Sequence, residues 1–205
     1  MLVDEFMPIY DVSDAVAMVV EADVATTWDA LMRVDLIDVG RKRPLVAVLG
    51  GLRMLPDIIS HLLHGELPSR QPEHLRLRDI TRIPLDEGGW VLLGLRAQDE
   101  IALGLVGKFW RPVIEFGRVS SPDEFAAFAA PGFAKTIYAL SVQAIGEERT
   151  RLSGVMRTAT TDEHARRWFR RYWTFGIGSG AHLLVNGLLD VTRDMAEHDA
   201  TSPRA

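Results

Sequence analysis

Hydrophobic and polar residues alternate along most of residues 73–161, in short segments that turn residues separate. The alternating segments are HLRLRDITRIPL, GWVLLGLRA, EIALGLVGKFW, VIEFGRVS, FAKTIYALSVQAIG and RTRLSGVMRTATT. A period of two is typical of strands with one buried face, and the short separations favour antiparallel neighbours. Together with SDAVAMVVEA at residues 13–22, the pattern predicts a curved antiparallel sheet of about six to seven strands.

Helical spacing flanks and interrupts this sheet-forming region. Apolar residues recur every three or four positions after Asp23, which is itself a favourable N-cap residue. Ser121-Pro122 starts a second predicted helix, because serine caps well and proline suits the first helical position. The last helix is predicted from about Asp162 to about residue 198, and residues 199–205 are expected to form a frayed tail.

The order of these elements indicates a single α+β domain spanning residues 1–205. Only the last helix is long enough to cover a sheet of this size, so we expect the sheet to wrap around it. Residues 36–72 do not fit the alternating pattern. Their glycines and Pro56 predict one or two short helices, which we interpret as a helical insertion or lid.

This arrangement resembles the START-like superfamily, also called SRPBCC or the polyketide cyclase/dehydrase group. The resemblance covers roughly residues 10–197 and rests on VVEADVATTWDAL, GKFWRP, FAAFAAPGFAKTIYALSV and TRLSGVMRTATTDEHARRWFRRYWTFGIGSGAHL. It implies a helix-grip fold, in which ligands bind between the last helix and the sheet. None of these segments is a catalytic signature, so the resemblance implies a fold more directly than a function.

Four glycines interrupt the last predicted helix, three of them within the segment FGIGSG. Each glycine inside a helix costs about 1 kcal/mol relative to alanine, so four of them require an explanation. A phosphate-binding loop is disfavoured, because a helical pattern both precedes and follows the glycines. Two explanations stay open: the missing side chains leave a cavity, or they let the helix press closely against the sheet.

A helical wheel at about 100° per residue divides this last helix into two sides. One side contains three of the glycines with aromatic and aliphatic residues, namely Phe169, Tyr172, Trp173, Gly176, Gly180, Leu183, Gly187 and Val191. The other side contains Gly178 and four arginines, Arg166, Arg167, Arg170 and Arg171. Arginines with interleaved aromatics can indicate binding of a nucleic acid or an anionic lipid. Because the arginines and the aromatics lie on opposite sides of the helix, the pattern favours a helix with a solvated arginine side and a buried aromatic side.

Composition and charge exclude several classes of function. A net charge of −5 argues against a nucleic-acid partner, which needs a basic surface. The chain contains no cysteine, and His61 and His64 lack a third ligand, so no metal site is predicted, and no motif indicates a cofactor. The first residues do not resemble a secretory signal, and the most apolar segment, 44–63, carries charges at its centre. We therefore expect no membrane span and a cytoplasmic location.

Candidate ligand-binding residues come from the wheel and from polar or aromatic positions in the strands. Tyr138 and Arg157 lie near the middle of long strands, and Trp110 ends a strand where it can form part of a rim. The alternation sends each strand residue to one face, but it does not identify the concave face. The set of candidates is Trp110, Tyr138, Arg157, Tyr172, Trp173, Gly176, Gly180, Leu183 and Gly187.

The leading hypothesis is the binding of a small, largely apolar molecule, lipid- or polyketide-like, in a cavity between the C-terminal helix and the sheet. The alternative is a cyclase/dehydratase-type enzyme in which Glu100, Tyr138 or Arg157 moves protons on a polyketide-like substrate. A third hypothesis is a protein-interaction module that uses residues 44–64. No motif identifies a catalytic residue, a specific ligand or an oligomeric state.

Overall fold

The computed structural model describes residues 1–35, 39, 76–80, 90–111 and 113–202, and the elements are numbered within these ranges. The strands are β1 (Val12–Val20), β2 (Trp90–Arg96), β3 (Glu100–Gly107), β4 (Ala134–Ala144) and β5 (Thr150–Thr160). The helices are α1 (Leu2–Phe6), α2 (Val24–Arg33), α3 (Leu77–Ile80), α4 (Pro122–Ala127), α5 (Glu163–Tyr172) and α6 (Gly178–Thr201), with a π-helical turn, Trp173–Ile177, between α5 and α6.

The described strands form one antiparallel sheet in the order β1-β5-β4-β3-β2. The predicted α+β class and antiparallel meander are thus confirmed, but the sheet has five described strands where six to seven were predicted. The segment VIEFGRVS forms only an isolated bridge, Gly107 to Phe116, because just two backbone hydrogen bonds join it to the end of β3. Of the predicted strand HLRLRDITRIPL, residues 77–80 are helical and most of the rest lies outside the described residues.

One face of the sheet packs against α2 and α6. Strand alternation places Leu140, Leu152 and Gly154 on this face, which we call the concave face, and they join the cluster that also contains Val185 and Leu189 of α6. A Cβ atom on Gly154 would lie 2.6 Å from Cγ1 of Val185. At this point a glycine of the strand, Gly154, makes room for the helix by lacking a side chain.

The opposite, convex face is covered by two short helices, α1 and α4, of which the sequence analysis predicted only α4. Leu2 and Val3 of α1 and Phe125 of α4 are fully or almost fully buried in a second hydrophobic cluster on this face. Gly104 of β3 makes room for Phe125, since a Cβ atom there would lie 2.8 Å from the phenylalanine ring. Both faces of the sheet are thus partly buried.

The C-terminal helical segment is continuous from Glu163 to Thr201 but contains the π-helical turn at its centre. Helix α6 extends three residues into the segment 199–205, which was predicted to fray, while residues 203–205 lie outside the described part. The predicted insertion or lid, residues 36–72, also lies outside the described residues except for Val39. The side chains of residues 176–180 are likewise not described.

Helix caps fix where these helices begin. Asp23 accepts a hydrogen bond from the N–H of Thr26, and Ser121 accepts one from the N–H of Glu124, as the sequence predicts. Asp162 caps α5 with Oδ1, which accepts from the N–H of Ala165 at 2.7 Å, while its Oδ2 accepts from the N–H of Gly132. A single carboxylate thus joins the start of α5 to the loop before β4.

Replacing Asp162 by alanine should lower the melting temperature at neutral pH, because both N–H groups lose their acceptor. Backbone hydrogen bonds, above all that from Ala165, lower the pKa of Asp162 from its ordinary 3.8, so the folded state favours the charged form. The stabilisation is therefore present above that value and is lost as the pH falls below it. Thermal melts between pH 3 and pH 7 measure this loss.

Two variants separate the cap from a general effect of charge. Asp162→Asn keeps an acceptor but cannot titrate, so it should retain part of the stability and lose this acid dependence. Asp29→Ala removes an exposed carboxylate inside α2 and serves as the control. Equal melting temperatures for Asp162→Ala and Asp29→Ala would show that the cap contributes nothing.

Candidate functional site

Aromatic side chains gather where the end of β3 meets α5 and the π-helical turn. Phe109 and Phe169 are buried there, and Trp110, Tyr172 and Trp173 pack against them. The Phe169 ring stacks on that of Trp173 with centroids 5.9 Å apart, and it lies 6.1 Å from the ring of Tyr172. Because Tyr172 and Trp173 end α5 and begin the π-helical turn, both reach this cluster from the helix.

Tyr138 approaches the same region from the sheet. It lies on β4 in register with Leu103, and its ring is 5.6 Å from that of Trp90 at the start of β2. Burial raises the pKa of Tyr138 to about 12, with a further contribution from Tyr172. The phenol is therefore protonated at neutral pH and acts as a hydrogen-bond donor.

The Tyr138 side chain is surrounded by protein and yet keeps accessible surface. Its residue is only half-buried, while its raised pKa has burial as the main cause. Within the described part of the chain, no hydrogen bond satisfies the Tyr138 hydroxyl, and this oxygen is not among the fully enclosed unpaired atoms. The hydroxyl is therefore available to a bound molecule.

The concave face differs between its two ends. Around Gly154, the residues Leu140, Val185 and Leu189 are buried and closely packed. Around Tyr138, its register partners Leu103 and Met156 are buried, while five other side chains stay half-buried, namely Trp90, Leu92, Leu105, Tyr172 and Trp173. A tightly packed core would bury such large apolar residues completely. The described residues thus form a half-buried aromatic region at the α5 end of the sheet, which we call the aromatic site.

The structure brings four of the candidate residues together. Trp110, Tyr172 and Trp173 share one cluster. Tyr172 also lies close enough to Tyr138 to help raise the pKa of Tyr138. Farther along α6, Leu183 is half-buried and Gly187 is buried. Gly176 belongs to the π-helical turn and Gly180 to the first turn of α6. That these glycines line a cavity stays a prediction.

Arg157 lies on the convex face, away from the other candidates. Its Nη2 atom is 2.8 Å from Oδ1 of Asp4, and its Nη1 donates to the carbonyl oxygen of Met7 at 3.0 Å. The guanidinium also lies 4.4 Å from the centre of the Tyr10 ring. The partner that a buried arginine requires is thus supplied by the N-terminal segment, and Arg157 holds this segment on the sheet.

Glu100 is also on the convex face. It is 3 % exposed, and its Oε2 accepts a hydrogen bond from the N–H of Leu2 at 2.8 Å. It borders an open groove of about 470 Å³ whose lining includes Ala15, Ser141 and Ser153. This groove contains none of the candidate ligand-binding residues, so two of the three suggested proton-transfer groups, Glu100 and Arg157, are separated from Tyr138 by the sheet.

Two residues of the aromatic site, Trp90 and Leu105, were missed by the sequence analysis. They face each other across β2 and β3 in register, on the same side of the sheet as Tyr138. The signal that could have found them is their alternation with the fully buried Val91 and Gly104. That alternation becomes informative only when the register shows which residues share a face with Tyr138.

Other kinds of site receive little support from the described residues. Among them, no group of three histidine, aspartate or glutamate side chains lies close enough to hold a metal ion. In the same part of the chain, no helix combines the length and the apolar character that crossing a membrane would require. The residues of the aromatic site offer aromatic surfaces and the phenol of Tyr138.

Comparisons with known proteins do not identify a family for this chain. No protein-family model and no curated protein matches the chain. A conserved protein from Geobacillus kaustophilus is 13 % identical, with a TM-score of 0.40, over 92 % of this chain and 97 % of that chain. The Zhui aromatase/cyclase from Streptomyces sp. R1128 is 11 % identical, with a TM-score of 0.29, over 88 % of this chain and 93 % of that chain. The fold is therefore identified from the chain itself: an α+β protein with a five-stranded antiparallel sheet and a long C-terminal helical segment, which fits a helix-grip arrangement.

Proposed function

We propose that the protein binds a small, largely apolar molecule at the aromatic site, between the concave face and the C-terminal helical segment. The observation that carries this proposal is the half-buried Tyr138, whose raised pKa indicates a desolvated phenol although its hydroxyl has no hydrogen-bond partner among the described residues. Binding pockets for small molecules are mostly apolar, with a few placed polar groups. Tyr138 supplies such a group within a surface of aromatic side chains.

The chemistry of the site indicates the class of ligand. Trp90, Tyr172 and Trp173 present flat rings that suit a planar or cyclic apolar molecule. A phenol that keeps its proton at neutral pH donates a hydrogen bond, so the ligand is expected to carry an acceptor such as a carbonyl or hydroxyl oxygen. A lipid- or polyketide-like molecule with one such group fits these requirements.

The cyclase/dehydratase alternative has weaker support. With a pKa of about 12, Tyr138 retains its proton at neutral pH and is a poor general base there. Glu100 and Arg157 contact the N-terminal segment on the other face of the sheet. No acid–base pair therefore forms at the aromatic site from the described residues. The interaction-module hypothesis concerns residues 44–64, which lie outside them.

The variant Leu105→Trp tests whether the aromatic site is an open space. Leu105 is half-buried beside Trp90, so a larger side chain there should fill the site. We expect uptake of an environment-sensitive apolar dye to fall severalfold while the melting temperature stays within a few degrees, because filling a void does not strain the core. Native mass spectrometry of the freshly purified protein should show a bound small molecule that is absent from this variant.

A matched control adds the same side chain on the convex face. Val19 is exposed on β1, and Val19→Trp should leave dye uptake unchanged. If the aromatic site is already filled by the protein, Leu105→Trp instead overpacks it at a cost of about 1 to 3 kcal/mol. A lower melting temperature, with no dye uptake by the unmodified protein, would contradict the proposed function.

A further inference from the structure

The outward surface of α5 and the π-helical turn carries exposed aromatic residues among arginines. Trp168 is 45 % exposed and Phe175 is 86 % exposed, and Arg167, Arg170 and Arg171 are exposed around them. The sequence analysis placed aromatics and arginines on opposite sides of this helix. That separation holds for Phe169, which is buried, but it is wrong for these two aromatic residues, which share the solvent side with the arginines.

Side-chain contacts of Trp168, together with helical spacing, place these residues on one outward surface. The Arg171 guanidinium lies over the Trp168 ring, 5.5 Å from its centre, and the His164 ring meets the edge of Trp168 at 6.4 Å. Phe175 follows Arg171 by four positions and therefore lies next to it along the helical segment. We call Arg167, Trp168, Arg170, Arg171 and Phe175 the arginine–aromatic surface.

The charge of this surface is opposite to that of the whole protein. Arg166 is paired with Asp11 at 2.8 Å, but Arg167, Arg170 and Arg171 form no ion pair within the described part of the chain. Helix α5 contains a single acidic residue, Glu163, in its first turn. A chain with a net charge of −5 thus concentrates three uncompensated positive charges beside two exposed aromatic rings.

We propose that the arginine–aromatic surface docks the protein onto an anionic lipid membrane. Arginine guanidinium groups pair with lipid phosphates, and aromatic side chains insert at the boundary between headgroups and acyl chains. Phe175 is almost entirely in water without such a partner, which is unfavourable for a large apolar side chain. Membrane contact buries this ring and neutralises the neighbouring charges in one event.

A nucleic-acid partner explains the same surface less well. One face of the Trp168 ring is already covered by Arg171, which leaves less of the ring free to stack on bases. Three arginines within about one and a half helical turns can contact only a few phosphates, and phosphate contacts provide most of the affinity for a nucleic acid. A membrane offers the additional apolar contact that Phe175 requires.

This inference is independent of the proposed function, although the two surfaces are neighbours. Arg171 faces outward, while the adjacent Tyr172 and Trp173 contribute to the aromatic site. Docking by one side of this helical segment would bring the aromatic site close to the lipid phase. Vesicle binding and dye uptake are separate measurements, so either proposal can fail while the other holds.

Co-sedimentation with lipid vesicles tests the docking proposal. The full-length protein should bind phosphatidylcholine vesicles that contain phosphatidylglycerol, bind pure phosphatidylcholine vesicles weakly, and dissociate at high salt. Each arginine near an anionic membrane contributes roughly a fivefold change in affinity, so replacing Arg167, Arg170 and Arg171 together by glutamine should weaken binding roughly 100-fold. Phe175→Ser should weaken it roughly tenfold.

Matched variants control for overall charge and overall exposed apolar area. Replacing Arg118, Arg149 and Arg151 by glutamine removes the same three charges from other exposed positions. Ile9→Ser removes an apolar side chain that is also 86 % exposed. Both controls should bind the anionic vesicles almost as well as the unmodified protein, and the melting temperatures of all variants should remain similar.

Several outcomes would overturn the docking proposal. One is the absence of binding to anionic vesicles at low salt, and another is an equal loss of binding in the control variants. Retention on single-stranded DNA or RNA, without vesicle binding, would show that the surface serves a nucleic acid. A self-associated protein whose assembly is broken by Phe175→Ser, and which does not bind vesicles, would show that the surface is a protein interface.

Discussion

Replacing Gly154 by valine is expected to lower the melting temperature by roughly 6 to 12 °C, since overpacking of about 3 kcal/mol shifts a domain of this size by that amount. A Cβ atom at Gly154 would lie 2.6 Å from Cγ1 of Val185 and 3.2 Å from Cδ2 of Leu140. Val185 cannot easily yield, because a β-branched side chain in a helix has one strongly preferred rotamer. The β-propensity of valine gains at most about 1 kcal/mol, which is too little to offset the clash.

A double-mutant cycle tests whether the clash with Val185 causes the expected loss of stability. Gly154→Ala introduces the clashing Cβ atom, and Val185→Ala removes the Cγ1 atom that it meets. The double variant should therefore be more stable than the sum of the single changes implies. Gly146→Ala is the control, since its Cβ atom would meet nothing closer than 3.7 Å. An unchanged melting temperature for Gly154→Val would mean that α6 does not pack on β5 as described.

Arg157→Met should loosen the N-terminal segment and lower the melting temperature by roughly 4 to 8 °C, since charged hydrogen bonds contribute about 2 kcal/mol. The substitution removes the contacts with Asp4, the Met7 carbonyl group and the Tyr10 ring, while it keeps an apolar stem of similar length. Hydrogen exchange of residues 1–10 should become faster. Dye uptake should be unchanged, because Arg157 faces away from the aromatic site.

The same contact has a pH dependence. The hydrogen bond from Arg157 lowers the pKa of Asp4 below its ordinary 3.8, so the pair stabilises the folded state above that value and weakens as the pH falls below it. Arg157→Met should lose this acid dependence. Arg151→Met, on the same strand and the same face but exposed, is the control. If Arg157→Met lost dye uptake and Arg151→Met did not, Arg157 would again be a candidate ligand-binding residue.

Features that depend on neighbouring residues along the chain were predicted well. Caps at Asp23 and Ser121, and a helix start at about Asp162, were identified because each of these signals acts within a few positions of itself. The strands β4 and β5 were identified because alternation persists over eleven residues in each. The segment VIEFGRVS was wrongly predicted as a strand, because eight alternating residues do not show whether a partner strand is present.

Features that depend on distant residues could not be predicted. Tyr138 and Arg157 are polar residues at equivalent places in adjacent strands, and the sequence treats them alike. The register pairs Arg157 with Ile137, not with Tyr138, so the two side chains point to opposite faces. Arg157 forms an ion pair with Asp4, which lies more than a hundred residues away in a segment for which no helix was predicted.

The helical wheel holds only in part, for a geometric reason. A wheel drawn at about 100° per residue assumes an uninterrupted α-helix, but a π-helical turn holds one residue more than an α-helical turn in the same path. Beyond Ile177, each position is therefore rotated by about one residue from where the wheel places it. The buried residues of α6 include Gly187 and Val191, which the wheel placed on the inner side, but also Val185, Leu188 and Leu189, which it did not.

The π-helical turn also determines which changes in chain length the protein can accept. In the exposed loop between β4 and β5, around Glu147, an inserted or deleted residue leaves every packed side chain in its place. Within Trp173–Ile177, a change of one residue would rotate all 24 residues of α6 by about 100° relative to α5. Val185 and Leu189 would then leave β5, so natural relatives of this protein should vary in length at the loop and keep the length of the turn constant.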